Sequence, residues 1–87
     1  EYRLEQNYPN PFNPSTVIRF ALPAVELVRL EVYNLMGQRV ATLAQGSKQA
    51  GWHEARFDAS GLASGIYIYR LSTASGFSQA RRLILVK

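Results

Sequence analysis

The side chains able to do chemistry in this chain are few and scattered. One histidine, His53, stands in the alternating run Trp52 to Phe57. No serine or carboxylate is arranged around it to form a general base or a ligand set, so a packed or half-buried imidazole is the expectation. The carboxylates Glu5, Glu26, Glu31, Glu54 and Asp58 fall on different segments, without the spacing of a metal-binding loop. Asp58, Ser60 and Gly61 open like a calcium loop but lack its alternating acids, which leaves an Asx-type turn or cap. The absence of cysteine removes thiol catalysis, zinc-thiolate sites and disulfides together. These residues point away from an enzyme and call for no metal or other cofactor.

Binding chemistry is better supplied. Trp52, Tyr67 and Tyr69 are the residue types of a sugar-stacking platform. Tyr67 and Tyr69 share one strand face at a spacing of two, which favours core packing. Trp52 follows Gly51 at a strand entrance and is the better candidate for exposure. Trp52 and Tyr67 therefore carry an alternative reading, a carbohydrate- or cell-surface-binding accessory module of a secreted hydrolase. The net charge of +4 comes from 10 Lys plus Arg against 6 Asp plus Glu. Arg19, Arg29, Arg39, Arg56 and Arg70 are spread one per segment, a solvated distribution rather than a clustered nucleic-acid patch, and no nucleic-acid partner is expected. Arg81, Arg82 and Lys87 flank the apolar Leu83 to Val86, as on an edge strand guarded by charge.

The elements that must position these groups are strands. Ile18, Phe20 and Leu22 alternate against Val17, Arg19 and Ala21 and stop at Pro23. Val28, Leu30 and Val32 alternate against Arg29, Glu31 and Tyr33, break at Asn34 to Gly37, and resume over Arg39 to Leu43 as the clearest hairpin. Asn34 can start that turn through its side chain, and Gly37 can take positive φ. A further strand ends near Asp58. Ile66 to Thr73 carries apolar residues at both parities and predicts a strand buried on both faces, or nearly so. Phe77 to Val86 forms the last strand, and Arg3 to Gln6 a short first one. One helical turn is expected around Ala59 to Ala63, capped by Asp58 and anchored by Leu62. The fold class is all-β, a small immunoglobulin-like β-sandwich of about seven antiparallel strands. Its expected core draws on Ile18, Phe20, Leu30, Val32, Val40, Leu43, Phe57, Tyr67, Tyr69, Leu83 and Leu85. No apolar run is long enough to cross a bilayer and no signal pattern opens the sequence, so membrane insertion is not expected. A start without methionine suggests a piece of a longer protein.

The segment Asn7 to Thr16, "NYPNPFNPST", holds three prolines and three asparagines in ten residues. Pro9, Pro11 and Pro14 exclude a helix and a central strand, which leaves an extended, kinked strap. With "VYNLMGQRVATL", "GLASGIYIYRL" and a basic pair leading to a lysine-ended apolar tail, it resembles, in order and spacing, the type A C-terminal sorting domain of the type IX (Por) secretion system. The resemblance covers Asn7 to Lys87.

That resemblance implies a single domain over residues 1–87, residues 1–15 being an extended Asn/Pro-rich lead-in and 16–87 the sandwich body. It implies a non-catalytic address on a larger cargo protein, secreted or held at the cell surface after passing through the periplasm. The implied partners are the outer-membrane translocon, a sortase-like surface protease and an N-terminal cargo domain of the same parent chain. By position, Asn10, Pro11, Phe12, Asn13, Pro14, Asn34, Gly37, Gly65, Tyr67 and Tyr69 match structural motif residues. Arg81, Arg82, Leu83, Leu85 and Lys87 are the implied translocon-recognition candidates, with strand addition at an exposed edge as the expected mode. Tyr8 and Phe12 are expected to pin the strap to the core.

Overall fold

The computed structural model describes residues 1–87. Seven strands form: β1 (Arg3–Leu4), β2 (Ser15–Leu22), β3 (Glu26–Tyr33), β4 (Arg39–Lys48), β5 (Gly51–Asp58), β6 (Gly65–Thr73) and β7 (Ser78–Leu85). They build two antiparallel sheets, ordered β1-β2-β5 and β4-β3-β6-β7. The result is the small immunoglobulin-like sandwich that the alternation predicts.

The period of two decides which side chains meet between the sheets. Ile18, Phe20 and Leu22 of β2 and Ala55 and Phe57 of β5 face Val28, Leu30 and Val32 of β3, Tyr67, Tyr69 and Leu71 of β6, and Leu83 and Leu85 of β7, all buried. Val40 and Leu43 are only partly buried against this core. Register shifts between Leu30 and Glu31 and between Val32 and Tyr33 interrupt the alternation of β4 against β3.

Three local expectations change. The first strand ends at Leu4 rather than Gln6. Ala59 to Ala63 is not a helical turn: Ser60 N–H donates to Asp58 Oδ1 at 3.0 Å and Leu62 N–H to the Ala59 carbonyl at 2.9 Å, which closes one turn and stops. β6 is not buried on both faces. Tyr67, Tyr69 and Leu71 point inward, while Ile66 and Arg70 are exposed and Ile68 is half-buried, because no third layer covers this sheet.

The β3–β4 turn forms as expected. Asn34 Oδ1 accepts from Met36 N–H at 2.9 Å and Gln38 N–H at 3.0 Å, and Gly37 takes φ of 84°. The strap crosses between the sheets: Tyr8 bridges antiparallel to Val17 of β2, and Phe12 bridges parallel to Leu85 of β7. Phe12 is buried in the core, as expected, but Tyr8 is 81% exposed and pins the strap through its backbone only. The interior anchor at that end is Asn7. Its Nδ2 donates to Thr16 Oγ1 and to the Pro9 carbonyl, both at 3.1 Å.

Candidate functional site

The candidate recognition residues lie on β7 and just beyond it, at the outer edge of the four-stranded sheet. Leu83 and Leu85 are 0% and 1% exposed, so the folded domain holds these side chains in its core and shows none of them at the surface. Arg81 turns across the end of the sandwich, its Nε donating to the Leu4 carbonyl at 2.6 Å. Arg82 has the opposite parity and is exposed, opposite Ile68 of β6. Lys87 folds back on the Ala59 to Ala63 turn: its Nζ donates to the Ser60 carbonyl at 2.5 Å and its N–H to Ser64 Oγ at 3.0 Å.

The edge of β7 is not open for strand addition along its second half. The Arg82 carbonyl accepts from Gln6 Nε2 at 2.7 Å, and the Ile84 N–H donates to Asn10 Oδ1 at 3.0 Å. Phe12 N–H donates to the Ile84 carbonyl and Val86 N–H to the Phe12 carbonyl, each at 3.0 Å. Prolines explain why the strap caps the edge without extending the sheet: Pro9, Pro11 and Pro14 bring no N–H, so the Gln6 and Asn10 side chains and one backbone bridge stand in for a ladder. Strand addition by a partner along that half would require displacing the strap.

Tyr69 ties the strap to the core from the other side. Its hydroxyl donates to the Glu5 carbonyl at 2.6 Å and accepts from Asn7 N–H at 2.9 Å. Burial pushes its phenol up to about 12, against a smaller opposing pull from Asn7 N–H and the Arg81 charge.

On the outer face of the same sheet, Glu31 is a buried carboxylate. Tyr33 hydroxyl donates to its Oε1 at 2.7 Å, and Arg39 to Oε2 at 3.2 Å. Burial works to raise its pKa, but those two hydrogen bonds and the charges of Arg29 and Arg39 outweigh it and hold Glu31 below the ordinary carboxylate value. Glu31 is thus internally neutralised. Reading the sequence missed both Glu31 and Asn7 as organising residues. The only available signals were a lone acid at outward parity in β3 and an asparagine two places before the first proline of the strap.

The alternative sugar platform is not assembled. Tyr67 is buried and its hydroxyl donates to the Ala63 carbonyl at 2.6 Å, so it offers no stacking face. Trp52 is 47% exposed, as its position predicts, but the Arg19 guanidinium lies 4.6 Å from its ring centroid. Glu54 and Glu5 hold that guanidinium at 3.6 and 3.5 Å. His53 stacks on Phe20 with ring centroids 5.3 Å apart, and its Nε2 meets the Gln49 carbonyl at 2.8 Å. Nowhere do three His, Asp or Glu side chains converge as a metal-holding group.

The arrangement is a latch at the C-terminal strand, with an exposed arginine beside it and no assembled reaction centre. Residues 6–87 match the family described as the secretion system C-terminal sorting domain. The chain belongs to that family. The match runs through the strap, the β3–β4 hairpin, β6 and the basic tail, the same blocks that carry the resemblance in the sequence. No curated protein matches the chain in sequence. Among solved structures, the sorting domain is similar to part of PorZ, an essential bacterial surface component of the type IX secretion system of Porphyromonas gingivalis, with TM-score 0.64 and 20% identity. That similarity covers 94% of this chain and 11% of PorZ, so the chain spans a small part of that protein's length. CopC from Methylosinus trichosporium OB3b is similar over 98% of this chain and 91% of its own, with TM-score 0.53 and 14% identity. At these identities both likenesses speak to the sandwich fold alone.

Proposed function

We propose that this domain is a non-catalytic address that directs a larger cargo protein, attached N-terminally, from the periplasm across the outer membrane by the type IX translocon. The observation that carries this reading is the family match over residues 6–87. The domain is read in folded form. Leu83 and Leu85 serve by fixing β7 in the core, while Arg82 and Lys87 offer charge at its surface. A sortase-like surface protease acts after export, and the cargo is released or held at the cell surface.

The test is to fuse residues 1–87 to a periplasmic reporter carrying a signal peptide, and to follow it in translocon-competent and translocon-deficient cells. The expected outcome is reporter outside the cell in the competent strain only. Periplasmic retention in both strains, with the domain shown to be folded, overturns the reading.

A further inference from the structure

An antiparallel sheet with one face in water normally places polar residues on that face. The sheet β4-β3-β6-β7 departs from this at one end. Ile66 of β6 sits directly opposite Ile84 of β7, and Ile68 lies between Tyr33 of β3 and Arg82 of β7. Ile66 is 37% exposed, and Val86, just past β7, is 50% exposed. Leu35, 67% exposed in the β3–β4 turn, lines a depression together with Tyr33, Ile68 and Arg70. An apolar row therefore crosses three strands on the solvent side. The core does not need it, because Tyr67, Tyr69, Leu83 and Leu85 fill the inner face of the same two strands.

The charge around the row has one sign. Arg70 and Arg82 are exposed and form no ion pair, Arg70 only leaning toward the Tyr33 ring at 5.9 Å. The sole carboxylate on this outer face is Glu31, which is buried and already engaged by Tyr33 and Arg39. Contiguous exposed apolar surface rimmed by charge marks an interaction site. An apolar row flanked by two unpaired arginines selects a partner with carboxylates beside apolar side chains.

We propose that this outer face, centred on Ile66, Ile68 and Ile84 and flanked by Arg70 and Arg82, docks an acidic, apolar protein segment of the export machinery. The inference rests on the sorting reading and adds the surface and the partner's chemistry. A second copy of the chain fits poorly, since a two-fold contact through this face would set arginines against arginines. The depression beside Leu35 and the staggered isoleucines favour discrete side chains over a flat headgroup surface.

The experiment places the photo-crosslinker benzoylphenylalanine at Ile66, at Ile84 and, as a control on the opposite outer face, at Arg56. Each variant is carried in the full chain fused to the reporter, in translocon-competent cells. Adducts are expected at Ile66 and Ile84 and not at Arg56, with the captured peptide mapping by mass spectrometry to an acidic segment of a translocon protein. The double variant Arg70→Glu/Arg82→Glu, melting like the parent, is expected to lose the adduct and about tenfold of export, as charge reversal at a complementary rim does. Export and adduct yield at parental levels in that double variant overturn the proposal. So does an adduct to a second copy, to lipopolysaccharide, or to a basic or neutral segment. If the parent fusion itself is not exported, the sorting reading fails separately. The docking face is then judged by its adducts alone: an acidic segment of a translocon protein sustains it, and the lack of such an adduct overturns it.

Discussion

Tyr69 links three parts of the molecule with one oxygen. The ring lies at 0% exposure in the core, while the hydroxyl holds the Glu5 carbonyl and Asn7 N–H. Tyr69→Phe keeps the ring and leaves two backbone groups without their partner, so it is expected to cost about 1 to 3 kcal/mol in urea unfolding. The phenol also sets an alkaline limit. Its pKa is raised from 10.0 to about 12 by burial, so the fold favours the neutral form. The stability it contributes is intact below pH 10.0 and is lost as pH rises toward 12. The parent's unfolding midpoint should fall more steeply than that of Tyr69→Phe between about pH 10 and about pH 12, with the phenol's late ionisation absent from the variant's ultraviolet titration. Equal slopes would remove Tyr69 as the source. The sequence pattern identifies Tyr69 as an inward residue because strand parity is local information. Its hydrogen bonds to residues more than sixty positions away depend on how the strap folds back, which no local pattern encodes.

The strap is the element on which the β7 edge depends. Its prolines rule out regular structure from sequence alone, and the asparagines suggest side chains standing in for backbone partners. Asn10 does this at the Ile84 N–H. The side of the sandwich the strap crosses, and its bridge to the last strand, are properties of tertiary folding. β6 shows the same limit: apolar residues at both parities predict two covered faces, yet only one sheet is available to pack against it. Phe12 is where the strap enters the core, 2% exposed and tilted against Phe57 with centroids 5.9 Å apart. Phe12→Ala is expected to lose about 3 to 5 kcal/mol, the cost of emptying an aromatic site. Hydrogen exchange separates this from a general loosening. Val86 N–H, which donates to the Phe12 carbonyl, should lose protection before the amides paired between β3 and β6. Uniform loss at both places would mean that the strap has no separate latch role.

At the scale of the whole molecule, the strand that carries the proposed recognition residues also supplies core leucines, and this changes how a C-terminal deletion must be read. Removing Leu83 to Lys87 takes away two fully buried leucines along with two surface-facing residues and the terminal lysine. Each leucine truncated in a core costs about 2 to 5 kcal/mol, against a total of about 5 to 15 kcal/mol for an ordinary domain. The deleted protein should show no cooperative thermal transition, and its failure to be exported would then report unfolding rather than a lost signal. Lys87 can be separated from the core. Its two hydrogen bonds, to the Ser60 carbonyl and Ser64 Oγ, lie at the surface, so deleting it alone should cost no more than about 1 kcal/mol and move the melting midpoint by less than about 8 °C. Export measured on that folded variant tests the terminal charge itself. Parental export would assign recognition to surfaces other than the last residue, whereas a loss of export from a domain that still melts cooperatively would make Lys87 part of the address.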